Sequence, residues 1–275
     1  MNAPRSYLFV PANRCERIPK ALASGADAVI VDLEDAVPPA DKDAARATLR
    51  QALPAAAPVL LRINGQGTPW FEADRALCSL PGLAGIVLPK AESAETIAEL
   101  HAATGLMVLP TVESARGLAQ LDALAAAPGT QRLIFGSIDL RLDLGVPGDE
   151  PVLDPYRMQL VLASRLAGLP PPVDGVSLQF DAPDPVEADT RRSATLGFTG
   201  KLCIHPRQIA PVHRGFAPSE AEIAWAQRVV EADAQATGRA VALDGQMVDR
   251  PVVERARAIL ARAAAPDPDD TRRSA

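Results

Sequence analysis

Cysteine is scarce in this chain: three in 275 residues, and Cys15, Cys78 and Cys203 lie far apart with no CxxC pair. That excludes the even disulfide framework of a small secreted protein and fits a reducing cytoplasm, where such thiols pack as small apolar groups. Basic residues are in the minority, 28 Lys and Arg against 34 Asp and Glu, for a formal charge of -6. A nucleic acid or an anionic membrane surface calls for a basic field, so neither is an expected partner. Long apolar runs are missing too: nothing approaches the roughly 18 residues of a membrane span, and the first residues lack a signal-peptide core, so neither anchoring nor export is expected. Histidine is limited to His101, His205 and His213, without the spacing of zinc ligands. His101 and His213 read as surface positions, and His205 reads as a packed residue at a strand end. No GxGxxG follows an early strand, which weakens a doubly wound dinucleotide fold, and no internal repeat is visible.

What is present is a rhythm. Short apolar runs recur at 7–10, 28–32, 59–63, 85–88, 107–111, 133–136, 175–178 and 201–204. Alanine-rich amphipathic stretches separate them, around 15–24, 42–53, 71–78, 94–102, 117–126, 155–167 and 185–196. Alternation of this kind signals a parallel sheet with crossover helices, and about eight strands in roughly 250 residues close a (β/α)8 TIM barrel. After Pro206 the rhythm changes. A helix start at Pro218-Ser219-Glu220, a stop at Gly238, a hairpin-like stretch over 240–247 and a last helix over 251–264 form a C-terminal helical extension. The expected division is 1–215 for the barrel, 216–264 for the extension and 265–275, rich in Pro, Asp and Arg, for a disordered tail.

In such a barrel the C-terminal strand ends converge on one site, and nearly every proposed strand ends in a polar residue. The second ends in Asp32-Leu33-Glu34-Asp35, which reads either as a solvated loop with a helix cap or, taken together, as a functional acidic cluster. The third ends in Arg62-Ile63-Asn64. A guanidinium among apolar neighbours needs an anion, either the Asp32 loop or a substrate carboxylate or enolate oxygen. The fourth gives Pro89-Lys90, a candidate for Schiff-base chemistry. The fifth and sixth give Glu113 and Asp139. Two carboxylates from neighbouring strand ends, with no His or Cys beside them, form a hard oxygen site suited to Mg²⁺, or each is an ordinary cap or ion pair.

The ordered set Arg5-Ser6-Tyr7-Leu8-Phe9-Val10-Pro11, Asp32-Leu33-Glu34-Asp35-Ala36-Val37, Arg62-Ile63-Asn64, Pro89-Lys90, Val112-Glu113-Ser114-Ala115, Gly136-Ser137-Ile138-Asp139-Leu140, Gly200-Lys201-Leu202-Cys203-Ile204-His205-Pro206-Arg207-Gln208-Ile209 and Gly245-Gln246-Met247-Val248-Asp249-Arg250-Pro251 resembles the citrate lyase β-subunit-like family, acyl-CoA lyases of the phosphoenolpyruvate-pyruvate barrel superfamily. The resemblance implies a cytoplasmic, homotrimeric, metal-dependent lyase that makes or breaks the bond between a 2-oxo acid and the α-carbon of an acyl thioester, of the malyl-, citramalyl- or citryl-CoA kind. A dimer of trimers is the larger assembly it allows. It implies that Glu113 and Asp139 hold Mg²⁺, with Mn²⁺ as a substitute, and that Arg62, Asp249, Glu34 and Asp35 serve catalysis. Asp249 would act as acid/base from an extension packed on a neighbouring subunit. Arg62, Gly136, Ser137, Ile138 and Pro89 would meet the substrate, and Arg14 and Lys20 the phosphates of CoA. The segment 174–181 departs from the family's aromatic and acidic preferences, which bears on the acyl group taken. The alternatives are a citrate lyase β subunit working on an acyl-carrier-protein thioester, a Lys90-dependent aldolase and a non-catalytic CoA-binding homologue.

Overall fold

The computed structural model describes residues 3–53, 58–147, 150–236 and 241–264. The tail 265–275 and residue 240 of the anticipated hairpin lie outside them. Eight parallel strands close a barrel in chain order: β1 (Ser6–Pro11), β2 (Ala28–Asp32), β3 (Val59–Arg62), β4 (Leu83–Leu88), β5 (Val108–Val112), β6 (Ile134–Phe135), β7 (Val173–Asp174) and β8 (Gly200–Cys203). β1 pairs with both β2 and β8, which completes the ring.

Side-chain alternation along each strand then sorts residues by face. Tyr7, Ile30, Leu60, Val87, Leu109, Ile134, Val173 and Leu202, one per strand, form a single buried layer inside the barrel. The intervening positions, such as Leu8, Val29, Val31, Leu61, Ile86, Leu88 and Phe135, face the surrounding helices in a second and larger core. Two residues beyond the inner layer the same period points Phe9, Asp32, Arg62, Thr111, Gly136, Gly175 and Ile204 into the C-terminal mouth, and all of these border one cavity there. The mouth is therefore set by strand periodicity, while its chemistry comes from which residues occupy that layer.

Local signals fix several helix ends. Ser93 and Ser114 cap the helices Ala94–Thr104 and Ala115–Ala119 by accepting from Thr96 and Gly117 N–H, and Gly105 ends the former in the left-handed conformation. Three expectations need correction. The seventh strand is Val173–Asp174, not 175–178, because the buried Asp174 carboxylate is tied to Arg157 outside the barrel and Gly175 already turns into the mouth. The helix expected over 117–126 is broken at Gln120 into two. Two helices, Ser137–Asp143 and Ile209–Phe216, had not been expected, and the latter packs on Pro183–Thr195.

The C-terminal extension has its own small core. The helices Glu220–Ala236 and Arg250–Ala263 pack together with Ala226, Val229, Val253, Ala256 and Ile259 buried between them, beside the hairpin β9 (Val241–Leu243) and β10 (Gln246–Val248). Among the described residues no helix is long and apolar enough to cross a membrane.

Candidate active site

The cavity at the mouth measures about 530 Å³. Its acidic wall begins at Asp32, which is buried and fully used. Its Oδ1 and Oδ2 accept from the N–H groups of Glu34 and Ala36, turning the loop, and also receive Arg62 side-on, Nε to Oδ1 at 2.7 Å and Nη2 to Oδ2 at 2.6 Å. The Asp32 loop is thus the anion that Arg62 needs, and the guanidinium still borders the cavity. Its face covers the Phe9 ring at 4.6 Å, and Nη1 lies 3.0 Å from Glu34 Oε2. That contact is an ion pair without hydrogen-bond alignment, since Glu34 Oε2 is buried and has no hydrogen-bond donor. Burial works against the Arg62 charge, but the hydrogen-bonded Asp32, then Glu34 and Asp35, outweigh it and raise its pKa. Behind the loop, Lys42 Nζ donates to the carbonyls of Leu33 and Glu34, and Asn64 Nδ2 donates to Leu33 O.

Glu113 is buried at the end of β5, and its Oε1 accepts the backbone N–H of Lys90 at 2.7 Å. Its pKa is pushed up to about 8, by burial first and then by the like charges of Glu34 and Asp139. Gly136 makes room for it: a Cβ there would sit 2.4 Å from both Glu113 Cβ and Oε2. Asp139 borders the same cavity from the first turn of Ser137–Asp143, and Ser137 Oγ is buried without a hydrogen-bond partner. Two mutually repelling carboxylates and an unsatisfied hydroxyl at one cavity fit a hard divalent cation. Among the described residues no group of three or more acidic, His or Cys side chains gathers that could hold a metal ion by itself, so Mg²⁺ held here by two carboxylates would take its other positions from water and substrate oxygens.

Lys90 Nζ donates to Glu34 Oε1 at 2.8 Å. Burial lowers its pKa, but the Glu34 carboxylate more than reverses this, so the amine stays protonated. A Schiff-base nucleophile must be a free amine, and this one is not.

Glu34 stands beside the cavity holding Arg62 and Lys90, its own pKa raised by burial. Asp35, Gly136, Ser137 and Ile138 border the cavity; Pro89 is buried and does not. Arg14 and Lys20 are exposed after β1, and Arg14 Nε is paired with Glu16. Asp249 is also exposed and does not border the cavity of its own chain; it caps the last helix by accepting from Val252 N–H. His213, expected at the surface, is buried, and its Nε2 lies 2.9 Å from Ser6 Oγ and 3.5 Å from Asp27 Oδ2. This is no catalytic triad, because hydroxyl and carboxylate share one ring nitrogen at the start of the strands. His101, also expected at the surface, is partly buried with Nδ1 on Leu106 O.

Sequence reasoning placed Gln208 in a motif but gave it no role. Its Nε2 donates to the carbonyls of Ser177 and Gln179, and its Oε1 accepts from Ile204 and His205 N–H, so one buried amide joins the loops that follow β7 and β8. The helix-start context His205-Pro206-Arg207-Gln208, in which Gln stands at the third helical position of a capping box, is the signal that could have found it.

Fold and mouth together define a class, barrel enzymes with an acidic site built from hard oxygen ligands. Residues 5–206 match the model of the HpcH/HpaI aldolase/citrate lyase family. A citrate lyase subunit beta-like protein of Deinococcus radiodurans is 38% identical over 96% of this chain and 100% of the relative. A (3S)-malyl-CoA thioesterase of Cereibacter sphaeroides is 34% identical over 95% of each. The crystal structure of protein CitE from Mycobacterium tuberculosis in complex with magnesium, acetoacetate and coenzyme A superposes with a TM-score of 0.85 at 37% identity, over 95% of this chain and 98% of that one. The chain belongs to the HpcH/HpaI aldolase/citrate lyase family, as a metal-dependent lyase.

Proposed function

We propose that this protein cleaves a 3-hydroxyacyl-CoA thioester of the malyl-, citramalyl- or citryl-CoA kind into a 2-oxo acid and acetyl-CoA, or runs the condensation in reverse. The observation that carries this reading is the placement of Glu113 and Asp139 on one cavity with the Arg62 guanidinium. Glu113 and Asp139 are the residues that would hold Mg²⁺, or Mn²⁺ in its place. When bound, the ion supplies Lewis-acid charge to the hydroxyl or keto oxygen at the bond that breaks.

The chain's own groups do the rest. Asp32 takes two of the five Arg62 N–H groups in hydrogen bonds, leaving the other three, beside Glu34, to meet the substrate carboxylate and the developing enolate oxygen. Glu34 and Asp35 keep that guanidinium charged and aimed. Ser137 Oγ is a free donor for a substrate oxygen, beside Gly136 and Ile138 in the same wall. Asp249 would move the proton at the acetyl α-carbon, reaching the mouth of a neighbouring subunit in a homotrimer; its exposure and its absence from the cavity of its own chain support that role. Arg14 and Lys20, exposed after β1, would take the CoA phosphates, and Pro89 would back the acyl group. The CoA-bound Mycobacterium relative and the malyl-CoA relative support a CoA thioester as substrate, and three scattered, unpaired thiols support a cytoplasmic setting.

The test is a panel of malyl-, citramalyl- and citryl-CoA with Mg²⁺, following release of glyoxylate, pyruvate or oxaloacetate. Turnover of one member and its loss in EDTA are expected. No turnover of any, or rates untouched by EDTA, would refute the reading; free CoA without a 2-oxo acid would mark hydrolysis instead. A citryl thioester on an acyl carrier protein separates the citrate lyase β alternative.

A further inference from the structure

Among the described residues only two non-glycines, Lys90 at φ 47° and Asp244 at φ 52°, adopt the left-handed conformation. Asp244 occupies the tight turn between β9 and β10, where that conformation is what a hairpin requires. Lys90 is in no hairpin. It follows β4 and Pro89, in a conformation that crowds any residue with a Cβ and that glycine would adopt without strain. A lysine at such a place points to use of both its backbone and its side chain.

The geometry shows two such uses. The Lys90 N–H donates to Glu113 Oε1 at 2.7 Å, while the next amide, of Ala91, rejoins β5 at Thr111 O. The Lys90 ammonium crosses the β3 position, where Arg62 sits, to reach Glu34 Oε1 at 2.8 Å. One residue thus ties the acidic side chain after β2 to the one after β5. With Oε1 of Glu113 taken, the other oxygen, Oε2, lies where Gly136 leaves space, on the wall it shares with Asp139.

We propose that Lys90 is a positioning residue for the acidic mouth: its left-handed backbone anchors Glu113 through Oε1 so that Oε2 is turned to the Gly136 side and offered to a cation, and its ammonium fixes Glu34 beside Arg62. The proposal rests on the metal reading given above. It makes a prediction with two opposite signs, because removing the ammonium takes a positive charge away from the carboxylates while releasing Glu34.

In calorimetric titration with Mg²⁺, Lys90→Met is expected to bind severalfold more tightly than the unaltered chain. Its kcat for thioester cleavage should fall by about 10²-fold, with KM changed by no more than about threefold. Lys90→Arg, which keeps the charge, should recover most of kcat. Lys90→Gly matches Lys90→Met in charge but removes the backbone strain, and should melt about 2–4 °C above it. A Met variant that keeps kcat, or that loses Mg²⁺ binding, overturns the proposal, and so does a Gly variant that melts no higher. An unaltered chain that binds no Mg²⁺ overturns the metal reading instead; the Gly and Met melting comparison needs no metal and still decides whether Lys90 is strained.

Discussion

The two ends of this barrel bury similar chemistry and use it differently. At the N-terminal end Arg132 is buried with every nitrogen engaged: Nε on Pro171 O, Nη1 on Pro4 O and Tyr7 Oη, and Nη2 on Thr199 Oγ1. Ser6, Asp27 and His213 close on one another beside it. At the C-terminal end Asp32, Glu34, Asp35, Glu113 and Asp139 outnumber Arg62 and Lys90, Ser137 Oγ has no partner, and a cavity opens. Polar groups completely satisfied by their own chain stabilise a fold; those left short of partners are available to a ligand. Ser164 Oγ, buried in the helix Asp154–Leu166, also lacks a partner but borders no part of this cavity, so it is incomplete satisfaction joined to an open cavity and an excess of carboxylates that locates the site.

The sharpest break of that contrast is removal of the ion's holder. Asp139→Ala, and EDTA on the unaltered chain, should each lower thioester turnover on the order of 10³-fold, measured as 2-oxo acid release, while the melting temperature of the metal-free protein stays nearly unchanged. A second experiment exchanges the two ends. Arg132→Met should cost about 3 kcal/mol in denaturant unfolding, because it leaves buried acceptors unpaired, yet leave Mg²⁺ affinity intact. Gly136→Ala should cost about tenfold or more in Mg²⁺ affinity by displacing Glu113, and some stability with it, because the added Cβ meets the Glu113 Cβ as well as its carboxylate. If Arg132→Met lowered Mg²⁺ affinity as far as Gly136→Ala does, the functional division between the ends would be wrong.

The smallest expected effect is a pH dependence. Glu113 in the metal-free protein has its pKa pushed up to about 8, by burial and then by Glu34 and Asp139, against about 4.3 for an unfolded glutamate. Between those values the folded state holds a proton that the unfolded state lacks, so stability falls as pH rises through that window. Glu34 is displaced in the same direction, whereas Asp189, lowered to about 2 by Lys201 against the opposing effect of burial, acts only in strong acid. The metal-free melting temperature should therefore drop by a few degrees between about pH 6 and about pH 8.5, and saturating Mg²⁺ should flatten the trend; a metal-free curve that rises over this range would contradict the crowding of carboxylates at the mouth.

Much of this was legible beforehand. Apolar runs such as Ala28-Val29-Ile30-Val31 gave the strands, and a polar residue at the end of each run gave the mouth. The seventh strand was misplaced for a physical reason. Val176, Leu178 and Phe180 alternate like a strand, but Leu178 and Phe180 are exposed in a loop held by Gln208. The real strand, Val173–Asp174, hides behind Pro170-Pro171-Pro172 and carries an aspartate whose burial is tolerated only because Arg157 and Lys201 neutralise it. No local pattern announces such a pairing. His213 was misread likewise, since the partners that bury it, Ser6 and Asp27, lie at the other end of the chain.

The sequence by itself determined the barrel and the layer of residues that faces its mouth, because strand periodicity is a local property and fixes which side chains point inward. Only the tertiary structure decided that Asp32 grips Arg62, that Lys90 spans Glu34 and Glu113, and that Gly136 clears space for a carboxylate. Those contacts join residues brought side by side by ring closure and strand register, and neither is written in any short stretch of chain.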